Sequence, residues 1–235
     1  MKRNVLILHF FLAAFCTTFS FSCKKNKDER LSGRSADVLE LIKRSTASNS
    51  GGFIHLVEEM AMLASVSQLD CNNYSDTTLH RDNGNPSLTP FTYDVLVRRE
   101  MLCTSGTPTR ISFAVQGNHD FETIRLKDES SVNMSNIIER LTNADADWQF
   151  TIAYARSGTI KSRMRDLTIR NNFRISSGDL TIDKTSLRIS GGTARVDVMW
   201  EEGDQPSIIF SANITFHGKN RATIQFEGNN HQLHW

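Results

Sequence analysis

The chain of 235 residues carries 27 Lys and Arg against 26 Asp and Glu, with 39% apolar residues, 9% aromatics and only 4 Pro. That composition suits one medium or two small globular domains and excludes wholesale disorder and a collagen-like fibre. The near-neutral balance gives no electrostatic footprint for nucleic acid, and no stretch reaches the roughly 18 uninterrupted apolar residues of a spanning helix.

At the start, Lys2-Arg3 form a short positive region, residues 5–16 an apolar run broken only by His9, and residues 17–22 a Ser/Thr/Phe approach to Cys23. This tripartite pattern predicts an export signal over residues 1–22. A core helix has similar apolarity, but it does not begin behind two cations and run into Thr-Thr-Phe-Ser-Phe-Ser-Cys.

Those residues resemble bacterial lipoproteins, which are cut just before a Cys that is then diacylated on sulfur, usually within Leu-Ala/Ser-Gly/Ala-Cys. Here the box reads Ser20-Phe21-Ser22-Cys23: Ser22 fits the small position, while Ser20 and Phe21 depart from the pattern. The run Ser-Cys-Lys-Lys-Asn-Lys-Asp-Glu is similar to lipoproteins of the Bacteroidetes type, where loose boxes are common. The resemblance implies a lipidated Cys23 and an outer-membrane location on the periplasmic or cell-surface face. Ordinary secretion, with cleavage near Ser20 or Ser22 and Cys23 as a spare thiol, is the alternative. Each buried CH₂ contributes about 0.8 kcal/mol, so two or more chains make a stable anchor where one is marginal. Residues 23–34 then form the lipidated Cys and a polar, aromatic-free linker. Loss of residues 1–22 removes Lys2 and Arg3 and no acid, leaving 25 bases against 26 acids and no strong attraction to anionic lipid or nucleic acid.

Over residues 35–44, Val38, Leu41 and Ile42 recur at helical spacing, with Asp37 and Glu40 early and Lys43-Arg44 late, which suits the helix dipole. A Ser/Asn/Gly turn follows at 45–52. Phe53, Leu56, Val57, Met60, Leu63 and Ala64 then trace a second helical stripe through 52–68, so residues 35–69 are expected to form a helical hairpin. The Met-bearing stripe reads as a core face in preference to a partner groove. Residues 72–90 read as a loop of Asn, Asp, Thr, Pro and Gly.

From residue 91 the apolar period is two: Phe91, Tyr93, Val95 and Val97; Ile111, Phe113 and Val115; Phe150, Ile152 and Tyr154; Val196, Val198 and Trp200; Ile208 to Phe216; and Ala222, Ile224 and Phe226. Turns are expected at 104–108, 116–118, 156–158, 176–179, 191–192, 202–204, 218–220 and 227–230. Connectors this short allow only antiparallel neighbours. Met134, Ile137, Ile138 and Leu141 predict one helical excursion over 130–141. The fold class is therefore α+β: an antiparallel β meander over 91–235, a curved sheet or partial barrel, packed on the N-terminal helical hairpin within a single domain, 35–235. With its Cys before a Ser-Gly-x-Pro turn, its central Ser-Gly turns and its Gly-Lys-Asn-Arg-Ala-Thr-Ile ending, residues 93–235 resemble the β-rich body of exported lipoproteins of the same bacterial group. That likeness brings no activity with it.

Cys16 lies in the signal and Cys23 would be acylated, which leaves Cys71 and Cys103. In an oxidising space they are expected to pair, closing a loop of about 30 residues and stabilising the fold by roughly 3–4 kcal/mol. A redox pair would stand closer in sequence, as Cys-x-x-Cys.

No nucleophile elbow, His-Glu-x-x-His, phosphate loop or dinucleotide fingerprint occurs. His231-x-x-His234 falls on opposite faces of an extended strand, which disfavours joint metal ligation. Asp145-x-Asp147 lacks the Gly and distal Glu of a calcium loop. Glu201, Glu202 and Asp204 form an acidic turn whose solvation is wrong for a general acid. Lys161, Arg163, Arg165, Arg170 and Arg174 place cations at alternate positions of a strand-like segment; Lys161, Arg163 and Arg165 are the candidate ligand-binding residues, for an acidic glycan or lipid head group. Asp76-Thr77-Thr78 resembles the short O-glycosylation site of exported proteins of this bacterial type. No cofactor or metal is expected. The functional expectation is a membrane-anchored, non-enzymatic binding or structural module for a glycan, lipid or protein. A carrier with an apolar cavity between helices and sheet, and an unrecognised hydrolase, are its rivals.

Overall fold

A computed structural model describes residues 32–67, 70–83, 89–142 and 146–235. The signal, Cys23 and most of the linker lie outside the described residues, as does Asp145. Residues Gly33–Trp235 form one compact unit. It opens with helix α1 (Gly33–Thr46), a single 3₁₀ turn (Ser48–Ser50) and helix α2 (Phe53–Ser65), the expected hairpin with slightly different ends.

Ten antiparallel strands follow in one sheet whose order is the order of the chain: β1 (Tyr74–Asp82), β2 (Phe91–Thr104), β3 (Thr107–Glu122), β4 (Leu126–Glu139), β5 (Trp148–Ser162), β6 (Leu167–Asp183), β7 (Arg188–Glu202), β8 (Ile208–Gly218), β9 (Arg221–Phe226) and β10 (Asn229–His234). The sheet stays open, with β1 and β10 as its edges. Along the central strands burial alternates residue by residue. One face carries the core against the helices, where Phe53, Ile54, Leu56, Val57 and Met60 of α2 are buried and Phe53 meets Tyr154 of β5 and Phe216 of β8 at ring separations of 5.7 and 6.3 Å.

Two expected elements are corrected. Residues 130–141 are the strand β4, not a helix: Ser130, Val132, Met134, Asn136 and Ile138 all face inward, and the polar inward positions hid the period of two. Part of the 72–90 loop is the edge strand β1, paired residue for residue with β2 from Tyr74↔Glu100 to Asp82↔Thr92. As an edge it buries little beyond Leu79, so no apolar alternation announces it.

The strands are also longer than their turn signals suggest. Residues 116–118, 156–158, 176–179 and 191–192 lie inside β3, β5, β6 and β7. Gly117 and Gly158 mark places where the sheet bends sharply. A Cβ on Gly117 would lie 2.0 Å from the Asp94 carbonyl oxygen, and one on Gly158 2.0 Å from that of Glu129. Only hydrogen fits against the paired neighbouring strand, and the bend curls the sheet around the hairpin. The expected turns at 104–108, 202–204, 218–220 and 227–230 are present, with Gly106, Gly203, Gly218 and Gly228 at positive φ, while the turns at 163–166 and 184–187 use Asp166 and Leu187, and Arg140, just after β4, is also at positive φ. The cationic segment 161–174 is accordingly two strands joined by a turn.

The expected disulfide is present: Cys71 and Cys103 are bonded with Cα atoms 5.5 Å apart, tying the segment after the helices to the end of β2.

Candidate functional site: a groove on the outer face of the sheet

The sheet face turned away from the helices carries a groove of about 700 Å³. Two cross-strand rows build it. One runs Arg98, Ala114, Ser135, Ala153, Ser176, Arg195 from β2 to β7; the other runs Leu96, Gln116, Asn133, Ala155, Arg174, Asp197. In the first row the small side chains of Ala114, Ser135, Ala153 and Ser176 stand between Arg98 and Arg195; in the second, Ala155 stands between Asn133 and Arg174, so the floor centres on Ala153 and Ala155. Six strands at about 4.8 Å spacing make this trough roughly 24 Å long.

The walls carry three arginines, two of them paired with carboxylates. Arg98 makes a two-point bond to Asp76 of β1, with N–O distances of 2.9 and 2.8 Å. Arg195 is held by Asp197, which also accepts a bond from Ser211 at 2.6 Å; those bonds keep the Asp197 carboxyl below its ordinary pKa. Arg174 bonds the amide oxygen of Asn172 at 3.1 Å, and no carboxylate among the described residues lies within ion-pair distance of it. The floor offers the hydroxyls of Ser135 and Ser176, the amides of Gln116 and Asn133, and the methyl groups of Ala114, Ala153 and Ala155. Guanidinium groups over hydroxyls, amides and methyls suit an extended ligand that carries carboxylates or sulfates and presents hydroxyls between them.

Of the cationic run, Arg174 alone lines the groove. Lys161, Arg163 and Arg165 stand toward one end of the sheet, around the β5–β6 turn, each beside a carboxylate. Arg163 binds Glu122 at 2.5 Å, and Lys161 lies 3.8 Å from Asp166. Arg165 is shared between Asp37 at 2.8 Å and Glu202 at 2.6 Å. Arg170 pairs with Glu201. Glu202, from the acidic turn, takes the forked guanidinium of Arg34, the indole N–H of Trp200 and Arg165. Arg34 above all holds its carboxyl down to about 2, a permanent anion and not an acid catalyst. His231 and His234 stand in β10, Asp76, Thr77 and Thr78 in β1, and Asp147 accepts a bond from Ser190 at 2.5 Å. No metal-ligand cluster occurs among the described residues.

The other polar constellation is internal. Arg156 on β5 is 1% exposed; it pairs with Asp128 on β4, donates to Ser45 at 2.8 Å and to the His119 carbonyl at 3.0 Å, and stacks on Phe121. The imidazole of His119, pushed well below its ordinary pKa by burial and then by Arg156, is neutral and donates from Nε2 to the Ser50 carbonyl at 2.8 Å. These groups lie under the α1–α2 connection and fasten it to the sheet.

Sequence reasoning missed the groove. Its one legible signal was Ala at outward positions 114, 153 and 155, where a solvated strand ordinarily carries longer polar side chains.

A scan against protein-family models finds no match, and neither curated proteins nor solved structures yield a similar chain.

Proposed function

We propose that this chain is an exported, lipid-anchored binding module that holds an acidic polysaccharide of uronate type in the outer groove of its sheet. The observation that carries the reading is the placement of open space: about 700 Å³ of it lies on the outer face, between Arg98, Arg174 and Arg195, whereas the helix-facing side is filled by side chains such as Phe53, Tyr154 and Phe173, all 1% exposed or less. A carrier needs its volume between helices and sheet. A hydrolase needs convergent acid and base groups, and Asp197, already bonded to Arg195 and Ser211, is the groove's one carboxylate. Anchoring through Cys23 places the module at the outer membrane, on its periplasmic or cell-surface face; the support is the signal pattern of residues 1–22 and the Ser22-Cys23 junction.

Electrophoresis in gels containing polygalacturonate or alginate tests the groove. The wild-type protein is retarded by both and not by neutral dextran, and Ala153→Trp, which fills the floor, and Arg174→Glu both lose the retardation. Equal retardation of all three proteins refutes the site. Palmitate labelling of wild type beside Cys23→Ser tests the anchor, and an unlabelled wild type refutes it.

A further inference from the structure

Alternation along a meander puts the end of β1 and the start of β2, with the β3–β4, β5–β6, β7–β8 and β9–β10 turns, at one end of the sheet and the β2–β3, β6–β7 and β8–β9 turns at the other. The first end is where α1 begins. The backbone of Gly33 lies against Arg165 of the β5–β6 turn, Arg34 binds Glu202 beside the β7–β8 turn, and Ser35 donates to Glu227 of the β9–β10 turn at 2.8 Å. The β3–β4 and β5–β6 turns touch through the Arg163 N–H donating to the Arg125 carbonyl at 2.9 Å.

Two of the turns at this end carry an apolar residue at the tip. Ile124, at the tip of the β3–β4 turn, is 90% exposed, and Met164, at the tip of the β5–β6 turn, is 65% exposed. Leu167, Met199, Ile208 and Ile209 are exposed nearby, so six of the nine large apolar side chains exposed among the described residues gather at this end. The cations interleaved with them are paired: Lys127 with Glu129, Arg163 with Glu122, Arg125 with Asp37, and Arg165 with Asp37 and Glu202. A surface that is apolar at its tips and internally charge-balanced fits the headgroup–acyl boundary of a bilayer, not a strongly charged partner.

We infer that this end of the sheet, led by Ile124 and Met164, rests in the surface of the membrane and sets the orientation of the module. The inference rests on the proposed acylation of Cys23, which supplies the occupant. Cys23 precedes Gly33 by ten residues, a span that even a fully extended chain keeps under about 36 Å. The tether thus holds this end near the bilayer at high effective concentration, and shallow contacts too weak to recruit the protein suffice to orient it. Docked this way, the strands rise from the membrane and the outer groove opens sideways, clear of the lipid. The apolar tips make the contact, so it does not depend on anionic lipid.

The test places an environment-sensitive nitrobenzoxadiazole label on single thiols introduced by Ile124→Cys, Met164→Cys or, in the exposed β6–β7 turn at the opposite end, Thr185→Cys. The acylated full chain is reconstituted in phosphatidylcholine vesicles. In parallel, the chain from residue 23, carrying Cys23→Ser and an N-terminal hexahistidine, is tethered to nickel-chelating lipid, which supplies the same geometry whatever occupies Cys23. The labels at 124 and 164 are expected to brighten about twofold or more and shift to the blue in both preparations, while the label at 185 stays unchanged. No response on nickel-chelating vesicles, or an equal response at all three positions, overturns the docking. So does a response at 124 and 164 that follows protein concentration without vesicles, which assigns the face to self-association. Failure of the acylated chain to float with vesicles refutes the anchor alone, because the nickel tether still decides the docking.

Discussion

Glu58 and Glu59, neighbours on α2, bind arginines from distant strands of the sheet: Glu58 pairs with Arg188 at the start of β7, and Glu59 with Arg81 on the edge strand β1 at 3.3 Å. Trp235, at the end of the chain, also reaches Glu58, its indole N–H 3.4 Å from the carboxylate. Ten strands laid flat would span about 43 Å, several times the roughly 10–12 Å diameter of a helix with its side chains. One helix can bind β1, β7 and the chain's end only because the sheet is curled around it.

The two contacts are therefore expected to fail locally. Glu59→Ala should lower stability by about 1–2 kcal/mol and speed amide exchange chiefly in β1, whereas Glu58→Ala, at similar cost, should speed it around the start of β7 and in β10. Urea denaturation and hydrogen exchange check this. Uniform acceleration over the whole sheet in both variants would contradict the wrapping.

Curvature should be equally sensitive to single methyl groups. Gly158→Ala forces a Cβ to within 2.0 Å of the Glu129 carbonyl oxygen, while Gly178 has nothing within 4 Å. Gly158→Ala is expected to cost about 3 kcal/mol or more, and Gly178→Ala to stay within about 0.5 kcal/mol of wild type. Thermal denaturation distinguishes the two, and equal melting temperatures would show that the bend at Gly158 tolerates a side chain.

These glycines also explain what the sequence disclosed and what it concealed. The long apolar alternations of β2, β7 and β8, the helical stripes of the hairpin and the Cys71–Cys103 pair were legible because burial and redox chemistry impose them directly. The signals that misled were Gly and Ser. At 106, 203, 218 and 228 glycines mark real turns, but at 117, 158 and 192 they sit inside strands where neighbouring backbones crowd, while two turns no glycine announces use Asp166 and Leu187 in the left-handed region. β4 read as a helix because Ser130 and Asn136 occupy inward positions; Ser130 is tied there to Asp128, the partner of Arg156. Beyond its outward alanines, the groove was hidden for another reason. Its rows join residues from six strands, and only the register brings them together.

Stability should fall in two stages on acidification. Burial lowers the pKa of both His55 and His119, so the unfolded chain binds protons first and the fold loses stability as pH falls below about 6.5. Glu202, held at about 2 against an ordinary 4.5, adds stability that is complete above about pH 4.5 and is lost as pH falls toward 2. Urea midpoints measured from pH 8 to 3 check both stages, and His119→Gln should flatten the upper one. A midpoint that rises between pH 7 and 5 would contradict the neutral, buried assignment of these imidazoles.

The disulfide closes a 32-residue separation around β1 and most of β2. Replacing both Cys71 and Cys103 with Ser is expected to cost about 3–4 kcal/mol, read as a shift of the urea midpoint that wild type reproduces under reductant. A wild type unmoved by reductant, with both thiols titrating without it, would mean the bridge does not form.

The claim on which the rest depends is that the outer face of the sheet, and not the space between sheet and helices, receives the ligand. Amide chemical shifts recorded during titration with oligogalacturonate test it most directly. The perturbations are expected to cluster at Ala114, Ser135, Ala153, Arg174 and Ser176 and to vanish in Ala153→Trp. Perturbations centred on Phe53, Met60 and the inward residues of β5 and β8 would place the ligand on the wrong side of the sheet and contradict it.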